Sequence, residues 1–215
     1  MKFDPSQQPE LQYMRLLGPC ADVRPIVPAD AAALFPLVHR QTAVTDMLVW
    51  NGPKDLAELE AGYANWRRGE RETGRDYMFV IRPAAGGDPV GGCGIRFSRT
   101  PGVGNIGYWL GEAHWGKGYM SDAVALLCWL GFERLGAQRM EALCLGHNVG
   151  SQRVLEKNGF VRDAGWQPDA ELHDRHAAPE GVELCELRFV LERTDWSPRP
   201  GFPVVAEVLL TEDEA

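Results

Sequence analysis

One segment restricts this chain more than any other. Residues 105–124 read Asn-Ile-Gly-Tyr-Trp-Leu-Gly-Glu-Ala-His-Trp-Gly-Lys-Gly-Tyr-Met-Ser-Asp-Ala-Val: a short apolar strand, a loop with Gly116 and Gly118 around Lys117, and the start of a helix. A strand running through a glycine loop into a helix aims unpaired backbone N–H groups and the positive end of the helix at one point. A phosphate-bearing ligand is the natural guest. Gly111-x4-Gly116-Lys117 begins like a nucleotide-hydrolase loop, but Gly118 stands where a magnesium-binding Ser or Thr is needed. Gly116-x-Gly118 begins like a dinucleotide fingerprint, but Ser121 replaces its third glycine, and the unit sits mid-chain. Both readings weaken, although an unrelated nucleotide-binding domain stays open as a lesser alternative.

The rest of the chain frames this loop. Helices are expected over residues 28–38, 55–68, 121–135 and 149–157, and strands over 77–81, 90–97, 105–110, 139–145, 160–163 and 183–191. Strands and helices intermix without strict alternation, which predicts an α+β fold rather than a doubly wound parallel sheet. Residues 12–193 read as one domain. Residues 194–215 form a Pro-rich C-terminal extension whose apolar stretch 204–210 is expected to dock as an extra strand, or to supply the edge of a homodimer.

Charge and cysteine content narrow the partners. The balance of 22 Lys and Arg against 30 Asp and Glu gives a net charge of -8, which argues against a nucleic-acid partner held by phosphate neutralisation. The cysteines Cys20, Cys93, Cys128, Cys144 and Cys185 form no Cys-x-x-Cys pair, so neither a disulfide framework nor a zinc site is expected. His173 and His176 stand at helical spacing without a patterned third ligand, so no metal is expected. The N-terminus lacks an apolar signal core and residues 123–132 are too short to span a membrane, so the expected location is cytoplasmic, with no membrane partner.

The loop sequence Trp115-Gly116-Lys117-Gly118-Tyr119-Met120 resembles the coenzyme A pyrophosphate loop of the GNAT superfamily of N-acetyltransferases, Gln/Arg-x-x-Gly-x-Gly/Ala, with Gly118 as its central glycine. Trp115 and Met120 depart from that pattern in the manner of the Rim-type ribosomal-protein N-terminal acetyltransferase branch. Asn148-x-x-Ser151-x-x-x-Leu155-x-Lys157-Asn158-Gly159-Phe160 is similar to the second signature of that branch, in the right order and one helix and one strand later. The resemblance covers about residues 12–193. It implies a central mixed, mostly antiparallel twisted sheet of about 6–7 strands with helices on both faces. It also implies acetyl transfer from acetyl-CoA to a primary amine, on a peptide N-terminus or a small molecule, by direct attack.

The same resemblance distributes roles. Gly116, Lys117, Gly118, Tyr119, Met120 and Ser121 would face the pyrophosphate, Leu110 N–H would polarise the thioester carbonyl, and Glu112 would close the coenzyme strand and serve as base. Glu171 is a distant second for that base. Asn148 would hold the pantetheine arm, and Ser151 would protonate the leaving thiolate, because Leu155 occupies the place where many members carry a tyrosine. Trp50 is expected beside the acceptor and Trp115 near the cleft. From the residues alone, Asn148 also suits a helix cap, Gly159 a left-handed helix end, and Cys144 a small core position. A module that binds coenzyme A without turnover is the alternative from another functional class.

Overall fold

A computed structural model of the protein describes residues 13–98, 100–167, 185–199, 202 and 205–208. The strands are β1 (Met14–Leu17), β2 (Ala21–Pro25), β3 (Asp76–Pro83), β4 (Gly91–Phe97), β5 (Val103–Leu110), β6 (Arg139–Leu145), β7 (Val161–Arg162), β8 (Glu186–Glu192) and β9 (Val205–Val208). The helices are α1 (Ala31–Val38), α2 (Thr42–Thr45), α3 (Leu56–Thr73), α4 (Tyr119–Trp129) and α5 (Val149–Lys157). Among the described residues the strands form one sheet in the order β7-β8-β6-β5-β4-β3-β2-β1-β9. Every pairing is antiparallel except that of β5 with β6. The fold is a single α+β domain.

Alternation along the strands decides which helix goes where. Phe79 and Ile81 point to one face and join Ala123, Val124, Leu126 and Leu127 of α4 and Leu155 of α5 in the larger core. Val80, between them, points to the other face and joins Ala31 and Leu34 of α1 and Leu59 and Tyr63 of α3. Two layers of helix therefore sandwich the sheet, as expected.

Among the described residues the sheet has nine strands, a correction upward of the expected count of about 6–7. The sequence reading assigned no element to β1 and β2, four and five residues long, whose alternation (Met14 and Leu16 buried; Ala21, Asp22 and Val23 all buried) is too brief to declare itself. The third addition, β9, lies inside the 204–210 segment and pairs with β1 of the same chain, Met14 against Val208 through Leu17 against Val205. The predicted helix over 121–135 is also divided. Regular α-helix stops at Trp129, and Leu130–Arg134 widen into a π-turn closed by Leu135 N–H on Leu130 O at 2.9 Å. That turn carries buried Leu130 and Phe132 into the core.

One departure from regular pairing positions the site. The parallel pairing of β5 with β6 runs only from Val103 against Arg139 to Ile106 against Ala142, although β5 continues to Leu110 and β6 to Leu145. The two strands part beyond Ile106.

Candidate active site

The parted strands open into a cleft of about 590 Å3. Its lining joins the end of β5, the glycine loop, the first turn of α4, the end of β6 and the outer face of α5. Gly111 N–H bonds Val90 O at 3.0 Å on the β4 side. Since successive N–H groups alternate sides, those of Tyr108 and Leu110 turn toward the gap. Leu110, the expected carbonyl polariser, thus presents its N–H where β6 no longer takes it up.

At the loop, Gly116 and Gly118 hold φ of +73° and +88°, a left-handed conformation that glycine adopts without strain. No heavy atom outside the neighbouring residues lies within 4 Å of where a Cβ at Gly116 would stand, so the backbone there faces open space. The first intrahelical bond of α4 is Asp122 N–H to Gly118 O at 3.1 Å. Among the described residues, the backbone N–H groups from Gly116 to Ser121 enter no hydrogen bond. Of these residues Gly116, Gly118, Tyr119, Met120 and Ser121 line the cleft, so unpaired backbone donors and a helix N-terminus stand at one end of it, a geometry suited to an anionic ligand. Trp115 closes the loop by donating its indole N–H to Leu110 O at 2.8 Å.

At the opposite end, the Asn148 side chain caps α5, Oδ1 accepting from Ser151 N–H at 2.9 Å. Its Nδ2 donates to Met47 O at 3.1 Å, and His147 Nε2 bonds Asp46 O at 2.8 Å. These bonds tie the 46–48 segment, whose Met47 and Leu48 line the cleft, to the start of α5. With Asn148 capping the helix, the buried Ser151 hydroxyl is released for another partner, the Tyr108 hydroxyl at 2.8 Å. Burial drives the Tyr108 phenol well above its ordinary range, so it stays protonated. Burial also pushes the nearby Cys144 thiol up, to about 11, with the Ser151 hydroxyl beside it acting the other way.

Tyr108 is the residue the sequence reading missed. A phenol on a β-strand looks like packing, and the signal was positional: residues 106, 108 and 110 share one sheet face, and the helix carrying Ser151 lies on that face.

The other expected residues fall as follows. Gly116, Gly118, Tyr119, Met120, Ser121, Leu110, Asn148 and Ser151 all line the cleft, as do Trp115 and Cys144. Lys117 and Glu112 are exposed and outside the lining, Glu112 opening the turn Glu112–His114. His114 from that turn does line the cleft, and burial together with Lys117 lowers its pKa. Trp50, 36% exposed, is not part of the lining. Glu171, His173 and His176 lie outside the described residues, among which no group of three or more ligating side chains could hold a metal. No helix among the described residues is long and apolar enough to cross a membrane.

The loop helix is anchored from behind. Buried Asp122 accepts from Cys20 N–H at 2.6 Å and from Arg199 at 3.5 Å. Arg199 also reaches Ser121 O at 3.4 Å and Asn158 Oδ1 at 3.0 Å. Asp122→Ala strips the carboxylate from both partners and leaves the half-buried Cys20 N–H unpaired, so stability should fall by about 1–3 kcal/mol. Urea unfolding measures this, and an unchanged midpoint would show that the anchor contributes nothing.

Comparison with known proteins agrees with this geometry. The family model described as "Acetyltransferase (GNAT) domain" matches residues 22–161. A Bacillus subtilis protein described as "Probable N-acetyltransferase YjcK" is 48% identical over 58 residues, 27% of this chain and 32% of that protein, so the chain spans about a third of that relative's length. Among solved structures, Mycobacterium smegmatis RimJ in complex with CoA-disulfide matches with a TM-score of 0.69 at 22% identity, over 85% of this chain and 88% of that one. A Salmonella typhimurium acetyl transferase that "modifies N-terminal serine of 50S ribosomal subunit protein L7/L12" matches with a TM-score of 0.66 at 19% identity, over 81% and 95%. At these identities the likeness is one of fold.

Proposed function

Because this chain belongs to the acetyltransferase (GNAT) domain family, we propose that it is an acetyl-CoA-dependent N-acetyltransferase in which a primary amine attacks the thioester directly. One observation carries the reading. A single cleft has unpaired N–H groups of residues 116–121 at one end and the Tyr108–Ser151 hydroxyl pair at the other, where β5 and β6 separate. A donor with a pyrophosphate at one end and a thiol at the other fits such a cleft.

Each step then has a group to perform it. The loop N–H groups and the helix end hold the pyrophosphate through backbone donors. Leu110 N–H, turned into the gap, stabilises negative charge developing on the thioester oxygen. Asn148 fixes the helix that carries Ser151 and borders the pantetheine path. We take Tyr108, which stays protonated, as the donor of the 2.8 Å bond to Ser151 Oγ, an arrangement that leaves the serine hydrogen for the departing sulfur. The turn Glu112–His114 offers two receivers for the amine proton: His114, kept neutral in the lining, and Glu112 through water.

The acceptor is a primary amine entering past Val44, Met47 and Leu48. A peptide N-terminus is the first candidate, supported by the Salmonella neighbour that modifies an N-terminal serine. A small amine is the second. Thiol release from acetyl-CoA across a panel of peptides with different N-termini and small amines tests both. Steady release with one class identifies the acceptor, whereas coenzyme binding without release under any acceptor would make the protein a non-catalytic coenzyme A module.

A further inference from the structure

The positive end of α4 has two claimants. Unpaired backbone N–H groups stand there at one end of the cleft, yet the first turn of the same helix carries a carboxylate, Asp122, that is only 6% exposed. An acidic side chain in the first turn interacts favourably with the helix dipole, so it competes with any anionic ligand for that end. Asp122 points to the rear of the loop. Its Oδ2 accepts from Cys20 N–H at 2.6 Å, and Cys20 Sγ lies 3.6 Å from where a Cβ at Gly118 would stand. The carboxylate is thus one residue removed from the loop glycine.

A neutral amide N–H leaves that charge uncancelled. Arg199, from the C-terminal extension, meets it with Nη1 at 3.5 Å from Oδ1, and among the described residues no other cation bonds Asp122. The guanidinium is held from several sides. Its Nη2 donates to Asn158 Oδ1 at 3.0 Å and reaches Ser121 O at 3.4 Å, and it lies over the Phe202 ring, 4.8 Å from the centroid. Phe202 in turn packs against the larger core. A charge this close to a mostly buried carboxylate is screened less by solvent than a surface pair is. Arg199 itself is not among the cleft-lining residues, so it acts through Asp122 rather than on a ligand.

We propose that Arg199 is a positioning residue that cancels the charge of Asp122 behind the glycine loop, leaving the positive end of α4 to the anionic acetyl donor. The C-terminal extension thereby becomes part of the donor site. This rests on the coenzyme reading above.

Titration calorimetry of the full chain with coenzyme A tests it. Arg199→Ala should weaken binding about 10-fold, the scale of one uncompensated charge near an anion. Arg199→Lys, which keeps the charge but loses the fork to Asn158 and Ser121 O, should stay within about 3-fold of the unsubstituted protein. Arg199→Ala combined with Asp122→Asn should recover to the same range, because the uncompensated charge is gone although every guanidinium contact is still missing. A role confined to bracing the helix predicts the reverse: lysine fails, and Asp122→Asn does not rescue. Either of those results, or unchanged affinity in Arg199→Ala, would overturn the proposal while leaving the coenzyme reading intact. Asp122→Asn alone leaves Arg199 unopposed and should bind coenzyme A at least as tightly as the unsubstituted protein, which keeps the charge testable even where Arg199→Ala does not fold; weaker binding there would also overturn the proposal. Failure of the unsubstituted protein to bind coenzyme A would overturn both readings.

Discussion

Gly118→Glu should abolish coenzyme A binding, with affinity falling by more than about 100-fold. Two effects add. A side chain at φ +88° strains the backbone by about 1–2 kcal/mol, and the carboxylate stands among the donors meant for an anion. Gly118→Ala separates them, because its Cβ would meet only Cys20 Sγ, at 3.6 Å. Alanine should lower stability by the same strain but weaken coenzyme A far less than glutamate. Calorimetric titration of both variants, with the unfolding midpoint of each, distinguishes obstruction from strain. Unchanged affinity in the glutamate variant would put the ligand elsewhere.

The parts of this molecule that were legible in the sequence are those where one residue type is forced by local geometry. Gly116 and Gly118 had to be glycine, and the structure holds both at positive φ. Asn148 and Gly159 mark the ends of α5 through a side-chain cap and a left-handed turn at φ +86°. Arg139–Leu145 and Val149–Lys157 begin and end at the expected residues. What the sequence concealed depends on contacts between distant segments. The separation of β5 from β6 is written in no local pattern, since both strands continue past the point where pairing ends. Asp122 and Arg199 are 77 residues apart, and nothing in the Pro-rich extension announces that its arginine reaches the loop helix. Lys117 looked useful by adjacency, yet the left-handed turns on either side of it leave its side chain outside the cleft lining.

The Tyr108–Ser151 pair gives the second large effect. If Ser151 protonates the leaving thiolate, Ser151→Ala should lower kcat by about 10²-fold or more, the scale of a positioned general acid, with little change in KM for acetyl-CoA. Tyr108→Phe removes only the donor that orients Ser151, so it should cost less, about 10-fold in kcat, as expected for one neutral hydrogen bond. Order matters more than size. Once Ser151 is gone, the tyrosine hydroxyl has nothing to direct, so the double variant should be no slower than Ser151→Ala alone. Additive losses would mean that the two hydroxyls act separately, and an unchanged rate in Ser151→Ala would return that residue to packing. A structural role for Tyr108 predicts something different: lost stability with kcat intact. Because its phenol stays protonated, the pH profile of the unsubstituted enzyme should show no tyrosine ionisation on its alkaline side below the ordinary tyrosine range. A limb that appears there and vanishes in Tyr108→Phe would instead make the tyrosine itself the titrating acid. Leu155, buried one turn beyond Ser151, then needs no hydroxyl, because Tyr108 of the neighbouring strand supplies one.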